Sequence, residues 1–216
     1  MSKKNIVIVD YGLGNLLSVF NAFKYLGAGS SVEDRPEKLK QADAVVLPGV
    51  GAFADGMMGL KKRNFIEPLK EFILTGRPFL GICLGAQLLM TKGFEFGEHA
   101  GLNFIDGEVV SFGRHAGSGK KGIKIPHIGW NGLLKGTKGW DGTILSDVKE
   151  GQEMYFVHSF FVAPQDRRHI LAETQYGEER FCSVVAKDNV YGCQFHPEKS
   201  STFGLKILGN FVRLMQ

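Results

Sequence analysis

Cysteine is scarce here, with three in 216 residues, at positions 83, 182 and 193. An odd number without metal-ligand spacing argues against a disulfide scaffold and a zinc site, and for a reduced, cytoplasmic setting. Long apolar runs are missing too. The chain opens Met1-Ser2-Lys3-Lys4 and runs into residues 6–9, too short for a signal-peptide core or a bilayer span, so no membrane partner is expected. Nor is there a basic stripe. Net charge is +4, and the densest group (Lys120, Lys121, Lys124) has no interleaved aromatics, so no nucleic-acid partner is expected. Repeats and low-complexity tracts are absent. Gly12-Leu13-Gly14 lacks the third glycine of a dinucleotide fingerprint, because position 17 is leucine.

What is present suits one large soluble α/β domain over residues 1–216, with enough apolar material (44%) for a sheet covered on both faces. The first half alternates apolar runs and helical spacing. Residues 5–10 read as a strand, Leu16, Leu17, Phe20, Phe23 and Leu26 as one helical face, and 44–47 as a second strand. A helix over 65–74, a strand over 79–82 and a helix over 84–90 follow. This pattern predicts a doubly wound, mainly parallel sheet. The second half reads as short strands at 109–112, 154–157, 170–174, 181–186 and 190–195, with a hairpin loop at 187–189 and a closing helix over 203–214. These are antiparallel additions. The glycine-rich stretch Gly113–Gly122 reads as a mobile inserted loop.

The sharpest local signal is Gly81-Ile82-Cys83-Leu84-Gly85, a nucleophile flanked by glycines where an apolar strand meets a helix. The glycines allow the chain to reverse sharply and leave Cys83 exposed above the sheet, with the Leu84 N–H aimed at a reacting carbonyl. Partial positive charge at the helix start should lower the thiol pKa. A buried cysteine is more often a small core hydrophobe. That bland reading fits Cys182 and Cys193, which sit in apolar strands without glycine flanks, and it does not account for the two glycines around Cys83.

An attacking thiolate needs a proton donor and a group to orient it. Gln194-Phe195-His196-Pro197-Glu198 supplies both. Residues two apart on an extended segment point the same way, and Pro197 disfavours helix at His196. Alone, His196 would be a turn histidine and Glu198 a solvated carboxylate. Beside a glycine-flanked cysteine the functional reading is favoured. His127, His158 and His169 lack a carboxylate at such spacing, and His99 and His115 lie in polar loops. Pro48-Gly49-Val50-Gly51-Ala52-Phe53 follows a buried strand on the same sheet edge. Its Val50 and Gly51 N–H groups could join Leu84 as oxyanion donors, and an ordinary glycine-rich turn explains these residues equally well.

Together, Gly81–Gln87 and Gln194–Glu198 resemble the class I (triad) glutamine amidotransferases. Tyr11-Gly12-Leu13-Gly14-Asn15, Pro48–Phe53, Pro126-His127-Ile128-Gly129-Trp130-Asn131 and Tyr155-Phe156-Val157-His158-Ser159 narrow the likeness, over essentially the whole chain, to glutaminase subunits of imidazole glycerol phosphate synthases. The resemblance implies a flavodoxin-like α/β fold and a Cys83–His196–Glu198 triad that hydrolyses L-glutamine through a γ-glutamyl thioester. No cofactor and no metal are implied. Gln87, Glu95, Ser159 and Phe160 would hold the substrate. Ammonia would pass to a (β/α)₈ cyclase subunit in a heterodimer, with Asn15, Trp130, Tyr155 and Lys199 at the interface. Phe160 stands where tyrosine is common, and Ala86 where methionine is common. A paralogue feeding another synthase, a stand-alone cysteine hydrolase, and a binding module with an inert Cys83 are the alternatives.

Overall fold

The computed structural model describes residues 4–112 and 123–215; the Gly113–Gly122 segment lies outside them. The elements in order are β1 (Asn5–Val9), α1 (Leu16–Tyr25), β2 (Gly29–Glu33), β3 (Ala44–Gly49), α2 (Phe53–Lys62), α3 (Ile66–Leu74), β4 (Phe79–Cys83) and α4 (Leu84–Gln87). The second half holds β5 (Met90–Gly93), β6 (His99–Ala100), β7 (Ile105–Ser111), β8 (His127–Gly132), β9 (Leu134–Lys135), β10 (Glu153–His158), β11 (Phe160–Pro164), β12 (Ile170–Tyr176), β13 (Glu179–Lys187), β14 (Val190–Cys193) and α5 (Ser201–Arg213).

An eight-stranded sheet in the order β2-β1-β3-β4-β14-β13-β12-β9 forms the centre. Its first five strands are parallel and its last three antiparallel, the mixed topology expected from the sequence. Alternate residues of the central strands feed two cores, as a pleated strand buried on both faces requires. Ile6, Ile8, Val46, Leu80 and Ile82 pack with Phe23 of α1 and Ile207, Leu208 and Phe211 of α5. Val7, Val9, Val45, Leu47 and Phe79 pack with Leu60 of α2 and Leu69 and Phe72 of α3. Each such side chain contributes roughly 1.5–3 kcal/mol on burial. A four-stranded sheet (β11-β7-β5-β6) and the β8–β10 pair complete the fold.

Several local expectations change, among them the strand expected at 109–112, which runs Ile105–Ser111, and the unexpected strands β2, β5, β6, β8, β9 and β11. The helix after the elbow ends at Gln87 instead of residue 90, because Met90–Gly93 pairs with β7 and β6. Helix α2 escapes the sequence reading because Gly56 and Gly59 break its helical signal. Both glycines serve close approach: a Cβ on Gly59 would lie 2.7 Å from the Tyr11 carbonyl oxygen. The last sheet strand stops at Cys193, short of residue 195.

Candidate active site

Strand register decides where the site lies. Gly49 pairs with Cys83 and Cys193 with Ile82, so the elbow stands between the carboxyl ends of β3 and β14. Ligands of open α/β sheets bind at that edge. Cys83 has φ 53° and ψ −110°, a conformation that side chains avoid and that stores on the order of 1–3 kcal/mol. The flanking glycines make it feasible. A Cβ on Gly85 would collide with the Leu47 carbonyl, and one on Gly81 would sit 2.7 Å from the Gly85 oxygen.

His196 follows β14 in extended conformation (φ −99°, ψ 95°). Its backbone N–H donates to the Tyr155 carbonyl (3.0 Å), and its own carbonyl accepts the Ser200 hydroxyl (2.7 Å). Residues Pro197–Lys199 form a 3₁₀ turn, so the extended two-residue repeat expected from sequence gives way to a tighter geometry. The turn brings Glu198 back under the ring, with Nδ1 and Oε1 2.8 Å apart and both side chains almost fully buried. Nδ1–H donates to the carboxylate, which leaves Nε2 on the Cys83 side without a hydrogen-bond partner.

Burial pulls the imidazole pKa down, but Cys83 and Glu198 outweigh it and lift the ring to about 9. The imidazolium is therefore the resting form at neutral pH. His158, which lines the same cavity, goes the other way, because burial lowers it to about 3. The two shifts act on stability with opposite signs. His196 stabilises the fold below its unfolded pKa of 6.5, and that contribution is lost as pH rises through about 9. His158 costs nothing above 6.5 and destabilises progressively as pH falls from 6.5 toward about 3. The thermal midpoint should therefore decline on both sides of neutrality, and a level midpoint on either side would contradict the corresponding shift.

A cavity of about 470 Å³ opens over these groups, lined by Val50, Gly51, Leu84, Gln87, Glu95 and Ser159 among others. Gly51 has φ 103°, and a Cβ placed on it would meet no atom within 4 Å, so its backbone faces open space. Gln87 donates its amide N–H to the Phe160 carbonyl (2.9 Å). That contact uses the backbone, so the phenylalanine at 160 leaves it intact. Glu95 Oε2 accepts the Phe53 N–H (2.8 Å) and so satisfies a donor at the start of α2.

Trp130 and Tyr155 face each other across β8 and β10 with ring centroids 5.8 Å apart. Exposed Lys199 lies in the turn beneath Tyr155, and Asn15 precedes α1, which packs on that turn. All four residues thus lie in connected elements.

Two residues that the sequence places in motifs without a role also reach the site. Gln194 is fully buried and points its amide N–H at Cys83 Sγ (3.9 Å). Tyr11 buries a hydroxyl without a partner beside Gly49, and burial followed by the charge at Cys83 raises its pKa. A Cβ on Gly14 would lie 3.5 Å from the Pro48 backbone, so the first loop runs beside the glycine-rich segment. Cys182 and Cys193 are buried in β13 and β14, with thiol pKa values raised by burial. Among the described residues no three His, Cys, Asp or Glu side chains assemble as a metal site, and no helix is long and apolar enough to cross a membrane.

Comparison with known proteins shows the family. The family model "Glutamine amidotransferase class-I" matches residues 7–215. "Imidazole glycerol phosphate synthase subunit HisH 1" of Legionella pneumophila (strain Paris) is 49% identical over 97% of this chain and 99% of its own length. The HisH subunit of Syntrophotalea carbinolica is 47% identical over 95% and 98%. A solved structure of PurLQS from Thermotoga maritima superposes with a TM-score of 0.72 over 99% and 100%, and at 18% identity it speaks to the fold alone. The chain belongs to the class-I glutamine amidotransferase family, and its sequence groups with the HisH subunits within it.

Proposed function

We propose that this chain is the glutaminase subunit of an imidazole glycerol phosphate synthase of histidine biosynthesis, a single catalytic domain acting on L-glutamine. The observation that carries the reading is the buried His196–Glu198 pair beside a cysteine in a strained elbow, at the floor of a cavity of about 470 Å³.

Cys83 Sγ attacks the γ-carboxamide carbon of glutamine, and the carbonyl electron pair moves onto oxygen. The Leu84 N–H, with Val50 and Gly51 from the opposite strand end, stabilises that oxyanion. The amide nitrogen leaves as ammonia with a proton from His196 Nε2, and a γ-glutamyl thioester remains. Water, deprotonated by the same nitrogen, adds to the thioester and expels the sulfur as glutamate departs. Glu198 holds the ring and stabilises its charged form. Gln87, Glu95, Ser159 and the Phe160 backbone position the substrate. No metal or cofactor enters the scheme, because triad and oxyanion donors supply nucleophile, acid and base.

The ammonia acceptor is a (β/α)₈ cyclase subunit docked as a heterodimer over the rim of Asn15, Trp130, Tyr155 and Lys199. Exposed Ile128 and Leu17 support a partner-covered face there. The cytoplasm is the setting of the complex. The test is ammonia release from glutamine by the intact chain, alone and with the cyclase subunit and its nucleotide-like ligand. Fast release only with liganded cyclase is expected; slow release even then would assign the chain to another synthase. A diazo-oxo-norleucine label should modify Cys83, and labelling at Cys182 or Cys193 would overturn the nucleophile.

A further inference from the structure

The Pro126–Asn131 segment carries a buried histidine that the chemistry above does not use. His127 is fully buried on β8 and closes a hydrogen-bonded chain that ends in the substrate cavity. Its Nδ1 lies 3.1 Å from His158 Nε2, and His158 Nδ1 lies 2.8 Å from the Phe160 carbonyl. The same carbonyl accepts Gln87 Nε2 at 2.9 Å.

The proton positions follow from the acceptor at the inner end. A carbonyl oxygen only accepts, so His158 Nδ1 must carry the proton and its Nε2 must accept when the ring is neutral. His127 Nδ1 then has to be the donor. At the outer end His127 Nε2 lies 2.7 Å from the Asn131 amide, whose other arm reaches the Gln175 carbonyl at 3.2 Å. With the Asn131 oxygen on the ring, the two histidines together need three protons; with the amide turned over two suffice, at the cost of setting the Asn131 oxygen against the Gln175 carbonyl. Burial lowers the pKa of both rings and favours the two-proton state. The Nδ1 protons are the same either way. The His127 ring is held between Tyr176 (3.9 Å, interplanar angle 24°) and Phe156 (5.0 Å, 21°), so it cannot swing to offer its other nitrogen.

We propose that His127 is a positioning residue for glutamine, fixing His158 in the Nδ1–H form so that the Phe160 carbonyl and the Gln87 amide stay in place. This rests on the glutaminase reading and on Gln87 facing the substrate. Without the His127 donor, the Phe160 carbonyl still selects the Nδ1–H form, but the ring loses the second bond that holds it and His158 Nε2 is left unpaired. The ring can then turn, and the Phe160 carbonyl and its Gln87 partner shift with it.

The discriminating pair is His127→Asn and His127→Gln, assayed as the complex with liganded cyclase over a glutamine titration. The Asn amide nitrogen overlays the Nδ1 position and retains the donor, whereas that of Gln overlays Nε2 and loses it. His127→Asn should keep KM close to wild type; His127→Gln should raise KM about tenfold with kcat changed far less, the loss of one buried hydrogen bond. Equal KM values for the two variants would overturn the proposal. Should either fail to fold, imidazole ¹⁵N NMR of the wild-type chain decides. His158 as the Nδ1–H tautomer is expected, and the Nε2–H tautomer would overturn it. A wild type without glutaminase activity would sink the functional reading and leave this tautomer test standing.

Discussion

Cys83→Ala and Cys83→Gly are both expected to lose glutaminase activity by about 10³-fold or more, since removing a nucleophile that works as part of a unit costs nearly all of the unit's effect. The two variants should differ in stability. At φ 53° alanine inherits the strain of the elbow, whereas glycine adopts that backbone freely. The glycine variant should therefore be the more stable of the two by about 1 kcal/mol in chemical denaturation. Equal stabilities would mean that the elbow is relaxed. Ammonia release unchanged in either variant would remove Cys83 from the chemistry.

Among the described glycines, Gly85→Ala should be the most destructive alanine substitution. The added methyl would collide with the Leu47 carbonyl, an atom of a central strand that cannot move aside. A loss of about 3 kcal/mol or more is expected, at the upper end for overpacking. Gly51→Ala is the control. It has a positive φ of 103° and no atom within 4 Å of the added carbon, so only backbone strain of roughly 1 kcal/mol applies. Denaturant midpoints of the two variants check this, and a Gly85→Ala protein as stable as Gly51→Ala would refute the steric account.

The elbow and its histidine were legible because each leaves a local trace, two glycines around Cys83 and a proline after His196. Most of the parallel half of the sheet was legible for the same kind of reason, since β1, β3 and β4 are short apolar runs, whereas β2 carries too few apolar residues to read as a strand. Gln194 was legible only as part of the segment that carries the resemblance, and its role was not. At the end of an apolar strand it reads as one polar residue among several, and only the fold brings it beside a sulfur 111 positions away. The helix after the elbow was over-read because Leu88, Leu89 and Met90 suit a buried helix and a buried strand alike; pairing across to β7 decides. Glu198 was found for a partly mistaken reason. An extended segment was expected to align it with His196, and a tight turn does so instead.

The contact between Tyr11 and Gly49 constrains how this enzyme can change. A Cβ on residue 49 would occupy the space of the Tyr11 hydroxyl, and it would also lie 2.9 Å from the Leu84 Cβ and 3.0 Å from the Gly85 backbone nitrogen. Shrinking Tyr11 therefore does not open position 49, because the elbow closes it from the other side. Libraries that randomise position 49, alone or together with position 11, would recover glycine there.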